Sequence, residues 1–365
     1  MESTQNLTPS FPTAYDIEQA VLERYQAGAK VSQPSLCCAV EYDEKYLEIL
    51  PKEIIEKDYG CGDPTRYVNS GEIVLDLGSG TGKNCYIIAQ KVGEKGQVIG
   101  VDFNDEMLKL ARRYQSEIGA KIGYYNTKFV KGKIQDLSLD LEQVQNWLEK
   151  NPINSIEQFS QFEQECDRLR QQTPLIRDNT IDVVISNCVL NLVRPQDKEQ
   201  LFDELYRVLK PGGRVVISDI VCDQDPTPKI MNDPELWSGC IAGAFREDNF
   251  LKMFENAGFY GIEILQREER PWQVIDGIEF RSLTVRAYKS LKKTCSKDQH
   301  FIIYKGPWKQ VQDDQGQIFY RGEKIAVSQQ TYQMLTQSDS PYQPAIIAVS
   351  SSSEVQPIQS KTSCC

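Results

Sequence analysis

Residues 72–82 read EIVLDLGSGTG, and the fold is decided there. A short, nearly continuous apolar run suits a strand buried on both faces, the form strands take in parallel sheets. Three glycines follow within five positions, and then KNCYIIAQKV (83–92), whose apolar residues recur at helical spacing. Glycines at a strand-to-helix junction let the backbone approach a ligand, and the first turn of the helix offers free N–H groups. Asp76, Gly78, Ser79, Gly80, Thr81 and Gly82 are therefore candidate cofactor-binding residues. A glycine loop alone does not choose between a dinucleotide and a methyl donor.

Working outward, strands and helices alternate. QVIGVDF (97–103), a helix from Asp105, TKFVKGKI (127–134), IDVVISN (181–187), a helix over 197–209, the turn KPGG and RVVISDIV (214–221) follow in turn. Such βαβ units build a doubly wound, mostly parallel sheet with helices on both faces. Asp102 lies 20 residues past Gly82 at the end of the next strand, where a carboxylate can grip both ribose hydroxyls. Phe103 and Met107 are placed as adenine neighbours, as are Ile134 and Gln135 after the third strand.

The boundaries expected are an N-terminal helix and cysteine-containing loops (1–70), a cofactor-binding domain (71–225), a substrate-binding region (226–290), a small β-rich domain (291–348) and a Ser-rich, disordered tail (349–365). Residues 138–178 interrupt the alternation, and their Gln- and Glu-rich helical pattern predicts a surface helical hairpin.

Composition narrows the chemistry. A formal charge of −11 over 365 residues argues against a nucleic-acid backbone as partner. The N-terminus lacks the signature of a signal peptide and no apolar run is long enough for a membrane span, so a cytoplasmic monomer is expected. In that compartment eleven cysteines are mostly reduced. No C-x2-C pairing suggests zinc. The single histidine, His300, all but excludes imidazole acid–base chemistry. Oxygen and nitrogen acceptors need a base to remove a proton. A soft acceptor with its own lone pair needs none, and thiolates hold soft elements.

DYGCGDP (58–64), the glycine loop, ISNCVLNLV (185–193), YRVLKPGG and LWSGCIAGAF (236–245) together resemble the arsenite methyltransferases. The resemblance runs from about Tyr25 to Lys289, and more loosely to the terminal Cys364 and Cys365. It implies a class I methyltransferase fold with S-adenosylmethionine as cofactor, a choice that the GxGxG spacing and the LKPGGRVVISD turn and strand also favour. It implies that Cys188 and Cys240 bind trivalent arsenic, with Cys61 as a third ligand and Cys38 or Cys37 completing a thiol relay. Arsenite and methylated trivalent arsenicals are the implied substrates, and thioredoxin or glutathione the implied reductant. Tyr59 resembles the residue that covers the cofactor in that family, and Asn187 is placed to bind its methionine end. Lowered thiol pKa values, or proton release on binding, are expected. The alternatives are a methyltransferase for a small organic acceptor such as a quinone, and a non-catalytic arsenic-binding protein.

Overall fold

The structure, a computed structural model, describes residues 14–33, 40–291, 300–314, 316–337 and 340–349. Two compact units divide between Ser290 and Leu291. Cys37, Cys38, Cys295, Cys364 and Cys365 lie outside the described residues.

The first unit opens with α1 (Ala14–Lys30), α2 (Glu44–Leu47) and α3 (Lys52–Glu56). The alternation then runs β1 (Ile73–Leu77), α4 (Lys83–Val92), β2 (Gln97–Asp102), α5 (Asp105–Arg113), α6 (Gln115–Ile122), β3 (Thr127–Lys131), α7 (Leu141–Lys150), α8 (Ile156–Gln172), β4 (Ile181–Asn187), α9 (Lys198–Val208) and β5 (Leu209–Cys222). It closes with α10 (Pro228–Met231), α11 (Pro234–Ser238), β6 (Phe245–Arg246), α12 (Glu247–Asn256), β7 (Tyr260–Arg267), β8 (Gln273–Ile275) and β9 (Ile278–Tyr288).

The expected α/β sheet is present, in the order β3-β2-β1-β4-β5-β9-β7. Strands β1 to β5 pair in parallel, and β9 runs antiparallel between β5 and β7. Neighbouring residues face opposite layers, as the two-residue period of a strand requires. Leu75, Leu77 and Val184 pack with Leu205, Phe250 and Phe254 on one face; Val74, Val183 and Ile185 pack with Ile87 and Ile88 on the other. From β3 the chain crosses to β4 on the far side of β1. That reversal opens a crevice beyond the carboxyl ends of β1 and β4, where ligands bind in open sheets of this kind. The glycine loop after β1 and Cys188 after β4 both lie there. KPGG is not a separate turn: it falls within β5, across a register shift opposite Ile181 and Val183.

Residues 141–172 form the antiparallel pair α7 and α8, with a small core of their own around Val144, Cys166 and Leu169. Arg112 to Glu142 (2.6 Å) and Arg170 to Asp136 (3.1 Å) tie the pair down. In the second unit, β10 (His300–Tyr304) is flanked by β13 (Lys324–Val327) and β14 (Ile346–Val349) in an antiparallel sheet. A hairpin of β11 (Gln310–Gln312) with β12 (Ile318–Tyr320), and α13 (Gln329–Thr336), complete it around Ile302, Tyr304 and Phe319. Among the described residues no helix is long and apolar enough to cross a membrane.

Candidate active site

The glycine loop forms because β1 must turn sharply into α4. Gly78, Gly80 and Gly82 all have positive φ, a region that costs other residues steric strain. A methyl group at Gly78 would sit 2.5 Å from Val189, so the loop packs directly against the residue after Cys188. Asp102, at the tip of β2, accepts hydrogen bonds from the Gly80 N–H (2.8 Å) and the Asn104 N–H (2.8 Å), and burial raises its pKa.

One cavity runs along this crevice. Of the residues predicted to bind cofactor, Tyr59, Gly78, Ser79, Gly80, Thr81, Asp102, Phe103, Met107, Ile134, Gln135 and Asn187 line it, and so does Cys188. The lining suits an adenosyl group bearing a charged tail: a carboxylate for the ribose, apolar walls around Met107 and Ile134, and backbone that only glycine lets so close. Asp76 and Gly82 do not line the cavity. Asp76 is buried beneath the loop, where its carboxylate accepts from the Cys85 thiol at 3.2 Å, and burial raises its pKa to about 8. Gly82 begins α4 against Phe129 and Tyr86, with no room for a side chain.

The thiols converge on Cys188, the one of the three that lines the cavity. Cys188 packs with both Cys240 and Cys61, and the Cys240 thiol donates to the Cys188 carbonyl at 3.0 Å. All three are buried, in an apolar cluster with Ile220, Trp237 and Phe280. Cys188 (φ 64°) and Cys240 (φ 62°) are two of the four non-glycine described residues with positive φ, each held there at a cost of about 1–2 kcal/mol. Cys61 rides on YGCG because neither flanking glycine could carry a side chain: one at Gly60 would overlap Asn187, and one at Gly62 would lie 2.6 Å from Ser218.

Lowered thiol pKa values are not found. Hydrogen bonding to Cys240 and Cys61, with burial, holds Cys188 well above the ordinary thiol range, and burial raises Cys61. Cys188 and Cys61 are thereby held as thiols. The Cys240 thiol is turned to the Cys188 carbonyl. Accordingly, no group of three or more His, Cys, Asp or Glu among the described residues is arranged to hold a metal ion.

Asn187 does more than line the cavity. Its amide oxygen accepts from the Cys61 N–H (2.9 Å) and the Gly62 N–H (3.1 Å), and its nitrogen donates to the Gly62 carbonyl (2.7 Å). Tyr59 donates to the Gly28 carbonyl (3.1 Å) and accepts from the Gln33 N–H (3.0 Å), fastening the end of α1.

Sequence reasoning missed α1 as a wall of the site. Glu18, Val21 and Tyr25 line the cavity. The Tyr25 hydroxyl stands 3.9 Å from the Cys240 sulfur, and Glu18 pairs with Lys133 at 2.9 Å. The amphipathic pattern of α1 announces a packed face without naming what covers it. Asp219, wholly buried, accepts from the Leu190 and Ile220 N–H groups (both 2.8 Å), and its pKa rises to about 6 through burial. Its only sequence signal was an acid in an apolar strand.

A methyltransferase domain family matches residues 68–176 and 170–258, and a domain of unknown function (DUF8838) matches 291–365. The chain is 37% identical over 253 residues to an arsenite methyltransferase of Halobacterium salinarum, covering 66% of this chain and 54% of that protein. It is 30% identical over 286 residues to the arsenite methyltransferase of Aquipseudomonas alcaligenes, covering 74% of this chain and 72% of the relative. The matches thus span about half the length of the first relative and nearly three quarters of the second. Among solved structures, an arsenic(III) S-adenosylmethionine methyltransferase from Chlamydomonas reinhardtii superposes with a TM-score of 0.57 at 27% identity, covering 87% of this chain and 96% of that one. With identity sustained over this much of both chains, and with the glycine loop and the thiols meeting in one crevice, the chain belongs to the arsenite methyltransferase family.

Proposed function

We propose that the protein transfers methyl groups from S-adenosylmethionine to trivalent arsenic held by Cys188, Cys240 and Cys61. The observation that carries this reading is that Cys188 lines the cavity walled by the glycine loop and Asp102 and is buried in one cluster with Cys61 and Cys240. Gly78 to Thr81, Asp102, Met107 and Ile134 would hold the cofactor, which supplies an electrophilic methyl on a sulfonium.

Cys188 and Cys61, held as thiols, suit an uncharged substrate. Each As–O bond of As(OH)3 exchanged for an As–S bond releases one water, the thiol giving its proton to the departing hydroxide, so no net charge enters the buried site. In the free enzyme the three sulfurs lie in one buried cluster, with the Cys240 thiol donating to the Cys188 carbonyl. Arsenic replaces those contacts and draws the sulfurs around itself into a pyramid whose lone pair points away from them. The chain's contribution is to aim that lone pair along the cavity and to keep water out. S-adenosylmethionine, when bound, would supply the methyl for the As–C bond, its sulfur keeping the electron pair of the broken S–C bond, and arsenic would become formally pentavalent. Two cysteine sulfurs, joining as a disulfide, return two electrons to arsenic. A thiol reductant of the thioredoxin or glutathione type then reopens the disulfide. Cys38 or Cys37 is the fourth thiol of this relay.

The test is direct. Purified protein incubated with arsenite, S-adenosylmethionine and reductant should yield mono- and dimethylated arsenic. Cofactor binding without any methylated product overturns the proposal.

A further inference from the structure

We infer that the two asparagines flanking Cys188 set which arsenicals the thiol cluster accepts, Asn187 by holding Cys61 and Asn191 by holding Cys240. This rests on the reading of the three thiols given above. Asn187 is the last residue of β4, and Asn191 lies in the short 3-10 turn Leu190–Leu192 just beyond.

Each asparagine reaches to the backbone of a different thiol. Asn187 makes three hydrogen bonds with Cys61 and Gly62 and so fastens the third sulfur. The Asn191 amide nitrogen donates to the Ile220 carbonyl of β5 (2.7 Å) and to the Cys240 carbonyl (3.1 Å), pinning the Cys240 segment to a central strand. That segment, between α11 and β6, has no ladder of its own. Further side-chain pins are Lys198, whose ammonium donates to the Gly243 carbonyl at 2.6 Å, and the Cys222 thiol, which donates to the Ala244 carbonyl at 3.8 Å.

Two carbonyls facing one amide fix its orientation, since only the NH2 end can serve both. The Asn191 oxygen is then left buried with no hydrogen-bond partner. A site that needed only packing would shed that unpaired oxygen by becoming apolar. Gly243 lies so close to the Asn191 backbone that any side chain there would overlap it.

The two fastenings serve different chemistry. Arsenite offers three exchangeable oxygens and can take three sulfurs; methylarsonous acid offers two. Loosening Cys61 therefore handicaps arsenite selectively, whereas loosening Cys240 handicaps every arsenical. Asn187 is on this account a specificity-determining residue, and Asn191 a positioning residue.

The experiment uses the full-length protein at saturating S-adenosylmethionine, so that the place of Asn187 in the cofactor cavity cancels. Methylation of arsenite and of methylarsonous acid is compared for the parent, Asn187→Leu and Asn191→Leu, near-isosteric changes that remove the amide. Asn187→Leu should lower kcat/KM for arsenite about tenfold or more relative to methylarsonous acid. Asn191→Leu should lower both about tenfold or more, while its cofactor affinity, titrated without arsenic, stays within about twofold of the parent. Should either variant lack a native melting transition, Asn187→Ser and Asn191→Ser, smaller polar changes that still remove the amide, carry the same comparison. Equal factors for the two arsenicals in the Asn187 variant, or parent-like kinetics in either, overturn the inference while leaving the arsenic reading intact. A parent that methylates neither arsenical overturns both.

Discussion

Gly78 and Gly80 stand two positions apart in one loop, yet the structure requires them for different reasons, and alanine at each should separate those reasons. At Gly78 the φ of 64° costs an L-residue about 1–2 kcal/mol, and a methyl group 2.5 Å from Val189 adds about 1–3 kcal/mol of overpacking. The sum, about 2–5 kcal/mol, corresponds for a domain of this size to a melting temperature lower by about 4–20 °C. At Gly80 the φ of 50° carries the same backbone cost, but no protein atom lies within 4 Å of the added methyl, which projects beside the cavity. Gly80→Ala should therefore lower the melting temperature by about 2–8 °C while weakening S-adenosylmethionine binding about tenfold or more, because the cofactor is what the methyl meets. Calorimetric unfolding and isothermal titration of the cofactor measure the two effects separately. A Gly80→Ala protein with full cofactor affinity, or a Gly78→Ala protein that melts with the parent, would refute the reasoning.

The remaining predictions concern the thiols, a buried acid and the inserted hairpin. Cys188→Ser and Cys240→Ser should each abolish methylation of every arsenical, and Cys61→Ser should mainly impair the first methylation. Cys222→Ser should turn over normally, because the Cys222 thiol donates to the Phe245 carbonyl (3.2 Å) and a hydroxyl can do the same; product speciation distinguishes the four, and full activity of Cys188→Ser contradicts the ligand role. Burial lifts Asp219 from an ordinary 3.8 to about 6, so the folded chain keeps a proton that the unfolded chain releases; stability should fall by about 3 kcal/mol as pH rises from about 4 to 6. Asp219→Asn should flatten that slope, and urea unfolding across the same range that leaves it unchanged counts against the assignment. Replacing 141–172 with a short linker should leave a folded, active enzyme, since α7 and α8 bury their apolar residues largely against each other; a folded but inactive product contradicts this.

The alternation of strands and helices, the cofactor loop and the cysteine-bearing segments were legible because each has a local signature. An apolar run announces a buried strand, closely spaced glycines announce close backbone approach, and Cys61 and Cys240 stand among glycines. What was illegible depends on partners distant in sequence. Asn187 could be placed at the mouth of the crevice, but its grip on Cys61 joins residues 126 positions apart. Asp76 carries the right chemistry for a ligand, and only the fold shows its carboxylate turned to Cys85 beneath the loop. Tyr25 gives no signal, because helical periodicity says that a face is covered and not by what. The raised pKa values of Cys188 and Cys61 had no sequence signal for a related reason: they follow from neighbouring thiols that only the fold brings together and from burial, and no sequence pattern reports either.

The left-handed backbone at Cys188 and Cys240 has an evolutionary consequence. Glycine accepts that conformation without penalty and asparagine with little, so at these two positions the local backbone preference opposes the residue that chemistry demands. A descendant that no longer handled arsenic would be released from that opposition and could drift toward glycine or asparagine there with an easier backbone. The paired residues at 188 and 240 can therefore be scored together in any set of relatives, separating chains under selection for the metalloid from chains that have kept only the sheet.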